Sequence, residues 1–585
     1  MQISKINTTP APQIAEIFFV EKCLELLHHS TIESYRLPLH NPKTILKEII
    51  QVTKSLNLEE ITNVEHITLL SDEIQALFEK ETYLKFNRIS TKYFNSILKK
   101  KDPNEIFYTV NLVIEENKNY SSDLFDLITA EITRLNSLGT ILINELAKLN
   151  QLIPFFLIEL RDRGYSKRYI YKFINQIFYS KSITNFPSRL NIIKSLINRA
   201  PENFDVVIGF KLNPGIGAQL VILDPVLKKL DSISIKAIIK KTNTRIREYF
   251  SDNPKLVFYI VPVKALDYYQ ASYLVRKELQ LALDVLFMGY NNDDFNIHQI
   301  CVVIGSERSH LASLQNLDFQ LEGHFRSEQI LYDTFSNKIS SIKTKNVSTD
   351  TINKIEAALR YLRSGSEAKE IENKLLNFWI AIEYFFSSRD AKHSKVKRAR
   401  DYMKKIHAVT YFKRLLIDFH KNIQLYNLTD LIPAYASNLD YLKDIANFNL
   451  IRNNISTPGI AWRAHELQTR IKDKSAINTN LIRHAQKLEW NLLRIYRQRN
   501  AIVHAANNNY DMLDITSHLK YYLVFLINSI IDFINETPTD LNMDGKLSLD
   551  DFFLLKHIEF DNLILDVTGD VAKLLSQKHP LEYLS

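Results

Sequence analysis

Residues 490–508 read WNLLRIYRQRNAIVHAANN. The run lies between two stretches of helical apolar periodicity, Leu481 to Arg497 and Met512 to Ile534, so the spacing predicts a helix on each side and a junction between them. At that junction stands Arg499-Asn500-Ala501-Ile502-Val503-His504. Arginine offers a planar, permanently charged fork that fits phosphate oxygens, and histidine exchanges a proton near neutral pH. Together they suit phosphodiester chemistry. On an unbroken helix five residues turn through about 500°, which leaves Arg499 and His504 roughly 140° apart. The pair therefore converges only where the helix breaks or where a second copy supplies the partner.

Working outward, helical patterning covers Thr351 to Leu362, Glu370 to Phe386 with Leu375, Trp379, Ile382 and Phe386 on one face, and Val396 to Ile406. These pack as a bundle with the two helices around the Arg-Asn-His window. From about residue 10 to 200 the apolar residues again recur at helical spacing, as at Ile128, Ile132, Leu135 and Leu142. Between these regions the character changes at Phe204. FDVVIGFKLNPGIGAQLVIL reads as a hairpin turning at Asn213-Pro214-Gly215. A helix with Ile235, Ile238, Ile239, Ile246 and Tyr249 on one face follows, then a strand at Leu256 to Val263, a helix at Tyr268 to Met288 and a strand at Gln299 to Ile304. The expected fold class is mainly α. A helical N-terminal region occupies 1–202, a small mixed α/β domain of order β-β-α-β-α-β occupies 203–340, and a helical bundle with a C-terminal extension occupies 341–585.

Composition agrees. Twelve glycines and sixteen prolines in 585 residues leave few helix breakers, and 45% hydrophobic with 24% charged residues is the balance of a globular protein rather than a disordered one. Cys23 and Cys301 are the only cysteines, which excludes a disulfide framework and a cysteine zinc cluster and fits a reducing, cytoplasmic compartment. The opening MQISKINTTPAPQIAEIFFVEKCLELL has charges cutting its apolar run, so secretion is not indicated, and no segment reaches the length a bilayer requires. The net charge is +8, and ten Lys/Arg against two Asp between Arg389 and Arg414 make an equal local excess. Such a block either tracks a phosphate backbone or is a solvated helix face.

The Arg-Asn-x-x-x-His window, the helix LLNFWIAIEYFF at Leu375 to Phe386, the basic segment after it and the apolar helix after His504 together resemble the Apea-like branch of the HEPN domains (higher eukaryote and prokaryote nucleotide-binding). The resemblance covers roughly residues 345 to 540. It implies a helical bundle that forms a homodimer, brings two motifs into one cleft and cleaves RNA without a metal or other cofactor. By the same resemblance Arg499 holds the scissile phosphate, His504 transfers protons and Asn500 positions the pair, with attack by the 2′-hydroxyl leaving a 2′,3′-cyclic phosphate. The family further implies antiphage defence, with a phage-derived trigger or an antitoxin as partner and the first 340 residues as the sensing part. The rival readings are a bundle that binds RNA or dimerises without cleavage, and a toxin held by a separate antitoxin.

Lys395, Lys397, Arg398 and Arg497 are the candidate RNA-binding residues; Arg494 and Arg497 either widen a positive mouth beside Arg499 or are solvated without contacting RNA. Glu383 either orients a catalytic side chain or, as the favoured reading, forms a surface ion pair with a lysine or arginine. Arg452-Asn453 lacks a histidine at the required offset. Asp540 to Asp551 matches an EF-hand loop at positions 1, 3, 5, 6, 8 and 9, but Asp551 stands where a bidentate glutamate is required, and an acidic turn explains the same letters. No metal site is assigned. His298, His310 and His465 have no partners at ligand spacing, and Gly305 to His310 lacks a nucleophile-elbow context.

Overall fold

The computed structural model describes residues 12–29, 37–58, 65–79, 83–138, 140–180, 185–212, 227–240, 242–287, 295–305, 312–318, 320–323, 329–342, 344–387, 394–505, 512–537, 545–566 and 571–581. Helices hold 71% of the structure and strands 8%, so the fold is mainly α with a small antiparallel sheet, as the composition predicts. Contacts group the chain into two compact units. One comprises Met1–Glu159, Phe178–Ser188 and Leu321–Ser585, the other Leu160–Ile177 and Arg189–Gln320. The sequence divides the chain into three consecutive regions; in the structure most of the first, 1–159 and 178–188, groups with the last, while 160–177 and 189–202 group with the sheet.

The N-terminal helices are α1 (Ile14–Leu27), α2 (Pro42–Asn57), α3 (Glu65–Phe78), α4 (Thr91–Lys100), α5 (Pro103–Glu116), α6 (Tyr120–Asn136), α7 (Ala147–Asp162), α8 (Lys167–Tyr179) and α9 (Phe186–Ser195). Four of them, α2 to α5, close one apolar cluster through Ile45, Ile49, Ile67, Ile74, Phe94, Ile97, Ile106 and Val110. Their ends are set by ordinary capping chemistry. Asn41 accepts the Lys43 and Thr44 amides ahead of Pro42, and Asp102 accepts the Glu105 amide ahead of Pro103.

The second unit carries β1 (Glu202–Leu212), β2 (Lys228–Lys229), α10 (Ser232–Lys240), α11 (Thr244–Asp252), β3 (Val257–Ala265), α12 (Tyr268–Phe287), β4 (Phe295–Gly305) and β5 (Ala312–Asn316). The sheet order is β2-β3-β1-β4-β5 with every pairing antiparallel, and Val206 stands opposite Val261 on one side and Val303 on the other. Central β1 is covered on both faces along its middle, although Asn203, Asp205 and Lys211 make the second face polar at its ends. Phe204, Val206, Ile208 and Phe210 share a cluster with Ala271, Val275 and Leu279 of α12, while Val207 joins Ile246, Tyr249 and Phe250 of α11. Two expectations change here. The single helix through Ile235 and Tyr249 is two: α10 ends at Lys240, and Asn243 caps α11 by accepting the Ile246 amide. Short, polar β5 adds an edge strand that periodicity does not reveal. The turn at Asn213-Pro214-Gly215 and most of Gly305 to His310 lie outside the described residues.

The C-terminal helices are α13 (Gln329–Ile342), α14 (Thr349–Glu367), α15 (Ile371–Phe385), α16 (Lys395–Val409), α17 (Tyr411–Leu425), α18 (Ile445–Arg452), α19 (Pro458–Ile471), α20 (Lys474–Ala505), α21 (Met512–Glu536), α22 (Leu549–Asp566) and α23 (Val571–Ser576). Leu375, Phe378, Trp379 and Ile382 of α15 meet Leu488, Leu492 and Ile495 of α20 and Leu519, Leu523 and Leu526 of α21 in one core. Gly365 lets α14 approach α15: a Cβ there would lie 2.6 Å from the Phe378 ring. A neighbouring core is built on α17, α18 and α19 and takes in Ile477 and Leu481 from the start of α20. Among the described residues no helix is long and apolar enough to cross a membrane.

The first and last regions are joined by polar contacts as well as apolar ones. Glu21 of α1 accepts the amide of Gly459, in the first turn of α19, at 2.7 Å, and a Cβ on Gly459 would lie 2.7 Å from that same oxygen. Burial raises the Glu21 carboxyl from its ordinary 4.5 to about 7, against the pull of the Gly459 amide. A raised native value means that the folded chain holds this proton more tightly than the unfolded one, so its stabilisation is complete below about pH 4.5 and fades as the pH rises through 7. Glu21→Gln is therefore expected to raise the melting temperature at pH 8 relative to wild type and to lose that advantage at pH 5. An equal shift at both pH values would show that Glu21 does not titrate in this window.

Candidate functional site

Helix α20 is 32 residues long and runs unbroken through Arg499 and Asn500 to Ala505. The expected junction thus falls after the motif rather than inside it. The reason is local: nothing between Arg494 and Ala505 breaks a helix, and the first stop signal is the asparagine run after Ala506. Helical geometry sorts the arginines. Arg494 and Arg497 lie about 60° apart on one face, while Arg499 points about 140° from the first and 160° from the second.

Arg494, 5% exposed, lies in the interior among acids from α2 and α3. Its Nε donates to both oxygens of Glu48 at 2.9 Å, and its Nη2 donates to Glu48 at 2.8 Å and to Glu73. Arg497 donates to the same Glu48, which also pairs with His40 at 3.1 Å. Burial alone would push the Glu48 carboxyl up, but Arg494, Arg497 and His40 outweigh it and hold it well below the usual range. Burial lowers the Arg497 guanidinium against the pull of Glu48. His66, buried nearby, is lowered to about 4 by burial and then by Arg497, which leaves it neutral at physiological pH. Arg497 was expected at the rim of an RNA-facing mouth. It is instead held in the interior by Glu48, because its position on the helix faces α2 and α3.

Arg499 differs. It is half-buried, among the described residues no carboxylate pairs with it, and its Nη1 donates to Oδ1 of the adjacent Asn500 at 3.1 Å. The Arg499 and Asn500 side chains are thus brought together. His504 belongs by its backbone to the last turn of α20, and its side chain lies outside the described part of the structure. Position 504, seven residues after Arg497, returns to within about 20° of it around the axis. Arg499 and His504 accordingly occupy different faces of one helix.

Among the described residues, Glu383 makes no ion pair with a lysine or arginine. Its Oε1 accepts the indole Nε1–H of Trp379 at 2.6 Å, one turn earlier on α15. The Trp379 ring lies 5.8 Å from that of Tyr496, which sits three residues before Arg499. The indole thus connects α15 to the motif-bearing part of α20.

The basic block largely pairs within the protein. Arg400 is buried and donates to Glu65 at 2.7 Å, Lys404 to Glu489 at 2.8 Å and Lys405 to Asp561 at 3.3 Å. Arg414 is buried against His407 and the Phe525 ring. Arg398 donates to the Phe386 carbonyl and to Asp550. Lys395 and Lys397 are exposed on the first turn of α16, and Arg389 and Lys392 lie outside the described residues. Of the candidate RNA-binding residues, these two lysines face solvent.

Of the EF-hand-like loop, Asp540, Asn542 and Asp544 lie outside the described residues. Asp551, at the twelfth position, accepts the Ser548 amide at 2.8 Å and its hydroxyl at 2.6 Å, while the Asp551 amide donates back to Ser548 Oγ. That reciprocal cap starts α22 and accounts for the aspartate.

The residues that sequence reasoning missed are Glu48 and Glu73. Each had a visible signal, a glutamate set among apolar neighbours in LKEII and SDEIQALF. No protein-family model matches the chain, and no curated protein or solved structure matches it.

Proposed function

We propose that the chain is a metal-independent endoribonuclease of HEPN type that works through Arg499, Asn500 and His504. The observation that carries this reading is the contrast along α20: Arg494 and Arg497 are paired with acids inside the protein, while Arg499 is half-buried and its described partner is the neutral Asn500. A guanidinium so placed suits a phosphodiester oxygen and the charge that develops on it. His504 takes the proton of the 2′-hydroxyl as its oxygen bonds to phosphorus, the bond to the 5′-oxygen breaks, and the protonated His504 returns that proton to the leaving 5′-oxygen. The products are a 2′,3′-cyclic phosphate and a 5′-hydroxyl.

One observation favours a second reading, an RNA-binding or dimerisation scaffold. The continuity of α20 sets Arg499 and His504 on different faces, so a single rigid copy does not converge them. Purified protein incubated with labelled RNA in EDTA decides between the two. Cleavage with cyclic-phosphate ends is the expected result. Cleavage that vanishes with EDTA and returns with magnesium would place the chemistry elsewhere, and RNA binding without cleavage would favour the scaffold.

A further inference from the structure

The stretch of α20 after the Glu48 cluster changes character within two residues. Arg494, Ile495 and Gln498 are buried, whereas residues 499–502 are only half-buried and Val503 is 49% exposed. Side-chain anchoring there is slight, with Ile502 packing partly against the bundle core. A helix end of this kind opens at low free-energy cost, and opening stops where side chains are firmly held. Among the described residues of α20 the last ion pairs are those of the Glu48 cluster. Glu48 bridges Arg494 and Arg497, Glu73 takes a second side of Arg494, and both acids come from helices far away in sequence.

We infer that Glu48 and Glu73 are positioning residues for the motif: they fix where on α20 the firmly held helix ends and so set how Arg499 and His504 face each other. With the cluster intact, the final turn starts from a fixed helical register and the two positions diverge. Unwinding restricted to residues beyond Gln498 lets position 504 leave the face of Arg497 and approach Arg499, within one chain or across two copies. Anything that draws α2 and α3 away from α20 would move the limit of unwinding toward the bundle. The effect on cleavage rests on the reading of Arg499 and His504 as the working pair. The effect on the helix does not.

Hydrogen exchange on the full chain tests the inference. Glu48→Gln leaves two guanidiniums facing one remaining carboxylate, and exchange of the amides at 494–499, which the cluster holds, is expected to rise by at least ~10-fold, while strand β1 and helix α15 keep wild-type protection. Glu48→Gln with Arg497→Gln is expected to recover most of that loss, since the unpaired buried charge rather than the missing bond does the damage. If Glu48→Gln does not fold, Glu73→Gln decides alone, because Glu48 still bridges both arginines in it and a smaller rise confined to the same amides is expected. Unchanged exchange at 494–499, or faster exchange spread evenly through α14 and α15, would overturn the inference. A cleavage assay on the same variants separates the two readings. If the wild type does not cut RNA but the exchange pattern holds, the nuclease reading fails and the positioning role stands.

Discussion

Arg499→Ala and His504→Ala are each expected to reduce RNA cleavage by about 10²-fold or more with little change in melting temperature. For Arg499 the separation of activity from stability follows from its surroundings. It is half-buried, its described partner is its own neighbour Asn500 at 3.1 Å, and no described carboxylate would be left unpaired by its removal. Substitutions at such positions ordinarily change stability by about 0.5 kcal/mol or less. Groups acting on one transition state also behave non-additively, so the double variant should be little worse than either single one. Lys395→Ala with Lys397→Ala is the matched control. It removes two solvent-facing charges and should weaken RNA binding and reduce its salt dependence without abolishing turnover. Full cleavage by both single variants would make α20 a scaffold helix.

The parts of this protein that were legible from sequence are those where one local rule suffices. Periodicity at 351–362, 370–386 and 512–534 gives helices because apolar residues at 3.6-residue spacing bury one face, and α14, α15 and α21 lie over those ranges. The strands at Val257–Ala265 and Phe295–Gly305 were visible because both faces of a covered sheet are apolar. What sequence did not show depends on partners distant in the chain. Arg494, Arg497 and Arg499 are the same letter within six residues, and only the acids on α2 and α3 distinguish them. The same holds for Arg400 and Lys404, which read as an open basic block until Glu65 and Glu489 are placed beside them. Glu383 looked like a surface acid because its partner, the Trp379 indole, is a donor without charge.

The largest stability effect is expected at Arg494. Truncation to Ala would leave Glu48 and Glu73 in a site where their side chains are each 12% exposed, with Arg497 and the His40 ring as the remaining described partners of Glu48. Breaking a buried pair from one side typically costs about 3–5 kcal/mol, because the charge left behind has lost both water and partner. That is a large share of the roughly 5–15 kcal/mol that holds a domain folded. The cost belongs to the orphaned acids rather than to the lost guanidinium, so Arg494→Met with Glu73→Gln should be less damaging than Arg494→Met alone. The pH dependence has a definite sign. Glu48 is held below its ordinary value of 4.5, so its contribution is complete above that value and disappears as the pH falls through the lower native one. Arg494→Met should therefore show a smaller loss of stability than wild type on acidification below about pH 4.5. Urea unfolding followed by helix signal at pH 7 and pH 4 gives all of these quantities. A loss of under about 1 kcal/mol for Arg494→Ala at pH 7 would mean that water already reaches the cluster, and the clamp on α20 would then be too weak to set where the helix ends.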